Sequence, residues 1–176
     1  MTTWIGFLRA INLGPTRKFP KADIVAAVER AGGTAVATYI NSGNVRFDHP
    51  SEVREEVEVM LEEEFLRDRG FEVPTVCVTP AELTRIAADA ETYGGHGGLH
   101  YVSLLKHEPT EEEIARIEAV SGPKEAAKVG GRAVHLMLGP NYHTASLTNA
   151  AVEKHLGVAT NRNLKVIRTL AEKWGV

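Results

Sequence analysis

The segment 34–47, TAVATYINSGNVRF, decides the fold because it places a tight turn between two runs of β-forming residues. The first run ends at Ile40 and the second begins at Asn44. Gly43 lies between them, and glycine readily adopts the positive φ that a hairpin turn requires. The segment therefore predicts two antiparallel strands that are neighbours in one sheet.

A strand and a helix precede this hairpin, and a helix and a strand follow it. Residues 2–9, TTWIGFLR, are apolar on both faces, which is typical of a central strand covered on both sides. A first helix begins at Pro20, a second begins at Ser51, and residues 72–79, EVPTVCVT, form a further strand. The order β-α-β-β-α-β predicts a ferredoxin-like α-β plait.

The second half of the chain repeats most of this order. Residues 101–106 predict a strand, and Thr110 with Glu113 forms a capping box at the start of the next helix. A hairpin and another helix follow. Residues 161–174 then predict a closing helix in place of a fourth strand, because their apolar residues recur on one helical face.

The predicted fold class is therefore α+β, with two ferredoxin-like α-β plait subdomains, the second incomplete and closed by a C-terminal helix. The first, residues 1–92, is a full βαββαβ subdomain with a short extra helix. Residues 93–99 are rich in glycine and are expected to form a linker. Residues 100–176 form the second plait-like subdomain.

Composition excludes some classes of function. The 176 residues carry a formal net charge of −3, whereas generic nucleic-acid coats and membrane-surface proteins normally have a basic excess. The only cysteine is Cys77, which suits a reducing compartment and, amid β-forming residues, reads as a core side chain. The N-terminus resembles neither a signal peptide nor a membrane span. We expect a cytoplasmic protein of bacterial type.

The plait topology predicts one candidate site. Its first two strands run parallel with the third between them, so their carboxyl ends lie at the same edge of the sheet. The amino end of the first helix lies near this edge, which suits a small anionic or polar ligand. We call this edge the rim, and it comprises Arg9, Asn12, Asn41, Ser42 and Asn44. Arg162 and Asn163 are candidates to complete it.

A purely structural interpretation of the rim is also open. Asparagine side chains often bond the backbone of the turn that contains them, so Asn41 and Asn44 need not face a ligand. Arg9, at the end of a buried strand, is expected to have a partner, and a salt bridge to a carboxylate is the commonest one.

The sequence identifies no reaction. No carboxylate pair, Ser-His-Asp set, thiolate or metal cluster falls in the rim, although an Arg/Asn/Ser edge could stabilise an oxyanion. No cofactor or metal is predicted, and the oligomeric state is open. The alternatives to a ligand-binding module are a nucleic-acid or protein interaction module and an enzyme of unknown reaction that uses this Arg/Asn/Ser rim. RNA could stack on Phe7, Phe47 and Tyr39, or its phosphates could meet a basic stripe, Arg162, Lys165 and Arg168.

Three motifs resemble those of a bacterial family known as domain of unknown function 1697. FLRAINLG, TYINSGNVRF and ATNRNLKVIRTL are similar to the family's LLRGIN-like strand, TYINSGNV-like hairpin and TRNW-like helix. The resemblance implies two plait-like subdomains and no established activity. The chain departs from the pattern at three positions, where Ala10 replaces a glycine, Asn161 a threonine and Leu164 a tryptophan.

Overall fold

A computed structural model describes residues 1–41, 43–93, 98–141 and 144–176. The chain forms two compact units, Met1–Glu82 with Trp174–Val176 and Leu83–Lys173. Most of the predicted linker, residues 94–97, lies outside the described residues. The second unit begins within a helix, ahead of the boundary predicted at 93–99.

The first unit contains one four-stranded antiparallel sheet in the order β2-β3-β1-β4. β1 pairs with both β3 and β4, and β2 pairs with β3. β1 and β2 consequently run parallel with β3 between them, as the plait predicts. The elements are β1 (Thr2–Leu8), α1 (Lys21–Arg30), β2 (Thr34–Tyr39), β3 (Asn44–His49), α2 (Arg54–Arg69) and β4 (Thr75–Val78).

The core of the first unit lies between this sheet and its two helices. Residues 4–8 of β1 are all buried, which explains the run of apolar residues on both of its faces. Phe19, just before α1, packs edge to face on Phe65 of α2 with ring centroids 5.2 Å apart. Cys77 is buried in β4, as expected for a core side chain.

The second helix begins three residues later than Ser51 and carries a buried acid. Ser51 Oγ accepts from Val53 N at 3.1 Å and donates to Glu56 at 2.8 Å, so it orders the turn that precedes α2. Glu58 is 2% exposed, pairs with Arg54, and accepts a hydrogen bond from Cys77 N at 2.8 Å. The Glu58 carboxylate therefore bonds a backbone N–H on the open edge of β4, where a neighbouring strand would otherwise bind.

The second unit has a sheet of the same form, in the order β6-β7-β5-β8. Its elements continue from α3 (Pro80–Thr92), which crosses the boundary between the units. They are β5 (His100–Leu105), α4 (Glu111–Ala119), β6 (Ala126–Gly130), β7 (Ala133–Met137), α5 (Asn149–Leu156), β8 (Ala159–Asn163) and α6 (Leu164–Trp174). The capping box predicted at Thr110 and Glu113 is confirmed.

The predicted α+β class with two plait-like subdomains is confirmed, but the second subdomain is complete. Residues 159–163 form β8, which pairs antiparallel with β5, and only Leu164 onward is helical. The sequence ATNRN contains few strand-forming residues, so the strand arises from pairing with β5 and not from local preference. In the described part of the chain, no helix is long and apolar enough to span a membrane.

Candidate functional site

The loop after β1 and the turn after β2 meet at one edge of the first sheet, where Asn12 connects them. Asn12 Nδ2 donates to Asn41 O at 2.8 Å and to Phe19 O at 3.0 Å. Asn12 Oδ1 accepts from Phe19 N at 2.8 Å. One side chain therefore fastens the loop, the hairpin turn and the residues just before α1 to one another.

The hairpin turn itself uses Asn44 and Gly43. Asn44 is 1% exposed, and its Nδ2 donates to Tyr39 O at 3.0 Å across the turn. Gly43 has a φ of 81°, and its carbonyl accepts from Leu8 N at 2.8 Å. A Cβ atom at Gly43 would lie 2.7 Å from Leu8 Cβ, so the turn packs directly on the end of β1.

The remaining members of the rim differ in their exposure. Asn41 is exposed, and its carbonyl, not its amide, holds Asn12. Arg9 is half-buried, with its backbone N–H donating to Pro74 O at 2.9 Å. Ser42 lies outside the described residues.

Two arginines hold the long loop that precedes α1. Arg17 Nε donates to Ala10 O at 2.6 Å, and Arg17 also donates to Glu72 O at 2.7 Å. Its guanidinium lies over the Phe71 ring, 4.6 Å from the centroid. Arg69 donates to Lys18 O at 3.3 Å and forms an ion pair with Asp23. The guanidinium of Arg17 is therefore committed to bonds that order the loop.

The backbone at this edge is strained. Within the described chain, the non-glycine residues with positive φ are Ala10, Asn12, Arg17, Ala35 and Ile40, at 49–57°. Four of the five lie in the loop after β1 or the turn after β2. This conformation costs most for β-branched residues such as Ile40, and asparagine tolerates it best. The sequence carried one sign of it, namely Ala10 at a position where the resembled family has glycine.

Arg162 and Asn163 lie in the second unit, on β8. Arg162 is 8% exposed, and it donates to Thr160 Oγ1 and to Asn161 O, each at 2.8 Å. Burial lowers its pKa to about 10. The predicted basic stripe is therefore wrong, because Arg162 is buried in a strand whereas Lys165 and Arg168 are exposed on α6.

Asn163 marks the start of α6 and borders a cavity. Its Oδ1 accepts from Lys165 N at 2.8 Å, which satisfies one of the backbone donors of the first helical turn. The cavity has a volume of about 450 Å³. Its lining combines β5, the end of β8 and the exposed face of α6, and it comprises Gly98, Leu99, His100, Asn163, Leu164, Lys165, Arg168, Thr169 and Glu172.

A pair of histidines lies on β5 and β7. His135 is fully buried, and its Nδ1 is 2.9 Å from Nε2 of His100. His135 Nε2 has no hydrogen-bond partner among the described residues. Burial lowers the pKa of His135 from 6.5 to about 4, so the ring is neutral near pH 7. The described residues contain no group of three or more histidine, cysteine, aspartate or glutamate side chains placed to hold a metal ion.

Comparison with known proteins identifies the family. Residues 1–135 match the model of a family described as "Protein of unknown function (DUF1697)". The chain belongs to this DUF1697 family. The match includes the first two motifs that suggested the resemblance and ends before the third, so the closing motif stays a prediction.

A solved structure resembles this DUF1697 chain over almost its full length. It is described as the structure of the conserved bacterial protein SP0830 from Streptococcus pneumoniae. It superposes with a TM-score of 0.75 at 19% identity, covering 99% of this chain and 98% of that one. At this identity the likeness concerns the fold alone. No curated protein sequence matches the chain.

Proposed function

We propose that the first unit is a binding module for a small anionic or polar ligand, which is held at the rim. Arg9 and Asn41 supply the groups that contact the ligand, and Ser42 follows Asn41 in the sequence. Asn12 and Asn44 shape the site through their bonds to the backbone. The concentration of left-handed residues at this edge carries the proposal.

Strained backbone is retained where the surrounding structure enforces it, and it concentrates at binding and catalytic sites. Here the enforcing contacts are specific. Arg17 holds the carbonyl of Ala10, and Asn12 holds the carbonyl of Asn41, the residue that follows Ile40. A loop that only connected β1 to α1 would need neither the strain nor these contacts.

The charge of the edge favours an anion. Arginine carries five N–H donors, so Arg9 can contact both the protein and a ligand oxyanion. Lys18 is exposed just before α1. No side chain caps the amino end of α1, and the partial positive charge at this end of a helix favours an anion nearby. These features support a phosphate or carboxylate group on the ligand.

A thermal-shift screen tests this proposal. The probes are inorganic phosphate, citrate and a set of sugar phosphates, each added to wild type, Arg9→Ala and Asn41→Ala. We expect at least one probe to raise the melting temperature of wild type, with the rise lost in Arg9→Ala and reduced in Asn41→Ala. Arg116→Ala is the matched control, because Arg116 is an exposed arginine in the other unit. The proposal fails if no probe stabilises wild type, or if all four proteins respond alike.

The described residues do not favour the nucleic-acid alternative. Phe7 and Phe47 are fully buried and cannot stack on bases, and Arg162 is buried as well. Salt-dependent retention of the protein on RNA would nevertheless revive this alternative. We also infer a cytoplasmic location, which the single, buried Cys77 supports.

A further inference from the structure

The cavity lined by residues of β5 and α6 in the second unit contains cationic, amide and apolar groups. Lys165 and Arg168 lie on one face of α6, three residues apart, and therefore point to the same side of the helix. His100, at the start of β5, also lines the cavity. Leu99 and Leu164 supply apolar surface beside these groups.

Hydrogen bonds within the protein orient two of the polar groups that line this cavity. The amide of Asn163 is oriented by its bond to Lys165 N, and His100 is oriented by its bond to the buried His135. His135 is fully buried in β7, so its hydrogen bond holds the ring of His100 in one orientation. Groups whose positions are fixed before binding lose little conformational entropy when a ligand arrives.

Arg168, in the cavity lining, forms only a weak ion pair within the protein. Arg168 pairs with Glu91, but the side chains are 48% and 71% exposed, and exposed pairs of this kind contribute little. Glu172 is the acidic member of the lining, against Lys165 and Arg168. An anion that entered the cavity could therefore replace Glu91 as the partner of Arg168.

We propose that this cavity is a second ligand site, which takes a small organic molecule with a phosphate or carboxylate group beside a short apolar part. The oxyanion meets Lys165, Arg168 and the amino end of α6, and the apolar part lies on Leu99 and Leu164. A volume of about 450 Å³ is within the usual range for sites of small ligands. All of its residues belong to the second unit, whereas the rim residues Arg9, Asn12, Asn41 and Asn44 belong to the first.

An NMR titration tests the site, with the amide resonances of the full chain as the readout. The probes are phenyl phosphate, benzoate and inorganic phosphate, which separate the two oxyanions from each other and from the apolar part. We expect phenyl phosphate or benzoate to shift the amides of residues 98–100 and 163–169, and to bind more tightly than inorganic phosphate. Lys165→Ala and Arg168→Ala should each weaken this binding by about tenfold, as for a charge-assisted hydrogen bond.

Removal of an acidic side chain near the cavity should tighten binding. This gain would not occur if Lys165 and Arg168 had only a structural role. Glu91→Ala removes the competitor for Arg168, and Glu172→Gln removes a negative charge from the lining, so each should tighten binding by about two- to fivefold. Lys154→Ala, an exposed lysine on α5, is the control and should bind like wild type. Arg9→Ala should also leave this titration unchanged, which separates the result from the rim.

The proposal is overturned if neither organic probe shifts the amides around the cavity. It is also overturned if Lys165→Ala, Arg168→Ala and the two acidic variants all bind like wild type. Shifts confined to residues 9–18 and 40–44 would assign the anion to the rim and exclude the cavity. Circular dichroism of each variant confirms that the exposed substitutions leave the fold intact.

Discussion

The two sheets have the same strand order, but different residues bond the end of the first strand in each sheet. In the first unit, Leu8 N at the end of β1 donates to Gly43 O; in the second, Leu105 N at the end of β5 donates to Arg132 O. At the second edge the buried Arg132 also donates its guanidinium to Leu105 O at 3.0 Å. The residue whose carbonyl bonds the end of the strand is thus a tightly packed glycine in the first unit and a buried arginine in the second.

The connections to the next helix differ as well. Residues 9–20 join β1 to α1, whereas residues 106–110 suffice between β5 and α4. The short connection lies within the usual length for such loops, and the long one exceeds it. No residue of 106–110 is left-handed, although all five are described. The plait thus requires neither a long loop nor strain at this edge, which supports a separate role for the loop of the first unit.

The largest effect should come from the turn glycines. Gly43→Ala should lower the free energy of unfolding by about 4 kcal/mol, since it adds left-handed strain to overpacking against Leu8 Cβ. Gly131→Ala, at a φ of 57°, should cost about 1–2 kcal/mol, because its Cβ would meet only the end of the flexible Arg85 side chain. Hydrogen exchange of the β3 and β7 amides measures each unit separately. Equal losses would show that the first turn is no more tightly packed than the second.

The two histidines that are buried in the described part of the chain give the next contrast. His49, in β3, contacts Ala31 O through Nε2 and accepts from Ser51 N at Nδ1, while His135 lacks a partner at Nε2 among the described residues. The pKa of His135 is about 4 when folded and 6.5 when unfolded, so the unfolded chain takes up the proton first as pH falls. Above pH 6.5, His135 therefore does not reduce the free energy of unfolding. As the pH falls toward 4, this group lowers the free energy of unfolding by about 3 kcal/mol.

Denaturant unfolding of the second unit at pH 7, 6, 5 and 4 measures this loss. His135→Gln is the comparison, because glutamine is of similar size and does not titrate. Its stability should change by about 3 kcal/mol less than that of wild type over the same range. Parallel pH profiles for the two proteins would contradict the prediction.

The sequence predicts a helix or strand only where the residues of that element themselves favour it. TVCV of β4 consists of strand-forming residues and all four are buried, so its sequence predicts a strand. The polar ATNRN of β8 becomes a strand only by pairing with β5, which no local pattern shows. At the rim, topology predicted that Asn12 and Asn41 would approach each other. Which of their atoms bond was not predictable, since this depends on backbone angles at Ala10 and Ile40.

A smaller effect separates the asparagines of the rim. Asn12→Ala should cost about 2 kcal/mol, because it removes three hydrogen bonds to the backbone and places alanine in a left-handed conformation. Asn41→Ala should change stability by less than about 0.5 kcal/mol, since its side chain is exposed. Thermal or denaturant unfolding measures both. A large cost for Asn41→Ala would assign its side chain to the framework and not to a ligand.

The smallest effect is a gain in stability. Ala10→Gly should raise the free energy of unfolding by about 0.5–1 kcal/mol, because relief of the left-handed strain exceeds the added entropy of glycine in the unfolded chain. Ala35→Gly, in β2 and away from the rim, relieves the same strain at a φ of 49° and is the matched control. If the strain shapes the rim, both variants gain stability but only Ala10→Gly changes the response to sugar phosphates. Identical ligand responses would show that the strain at Ala10 belongs to the loop alone.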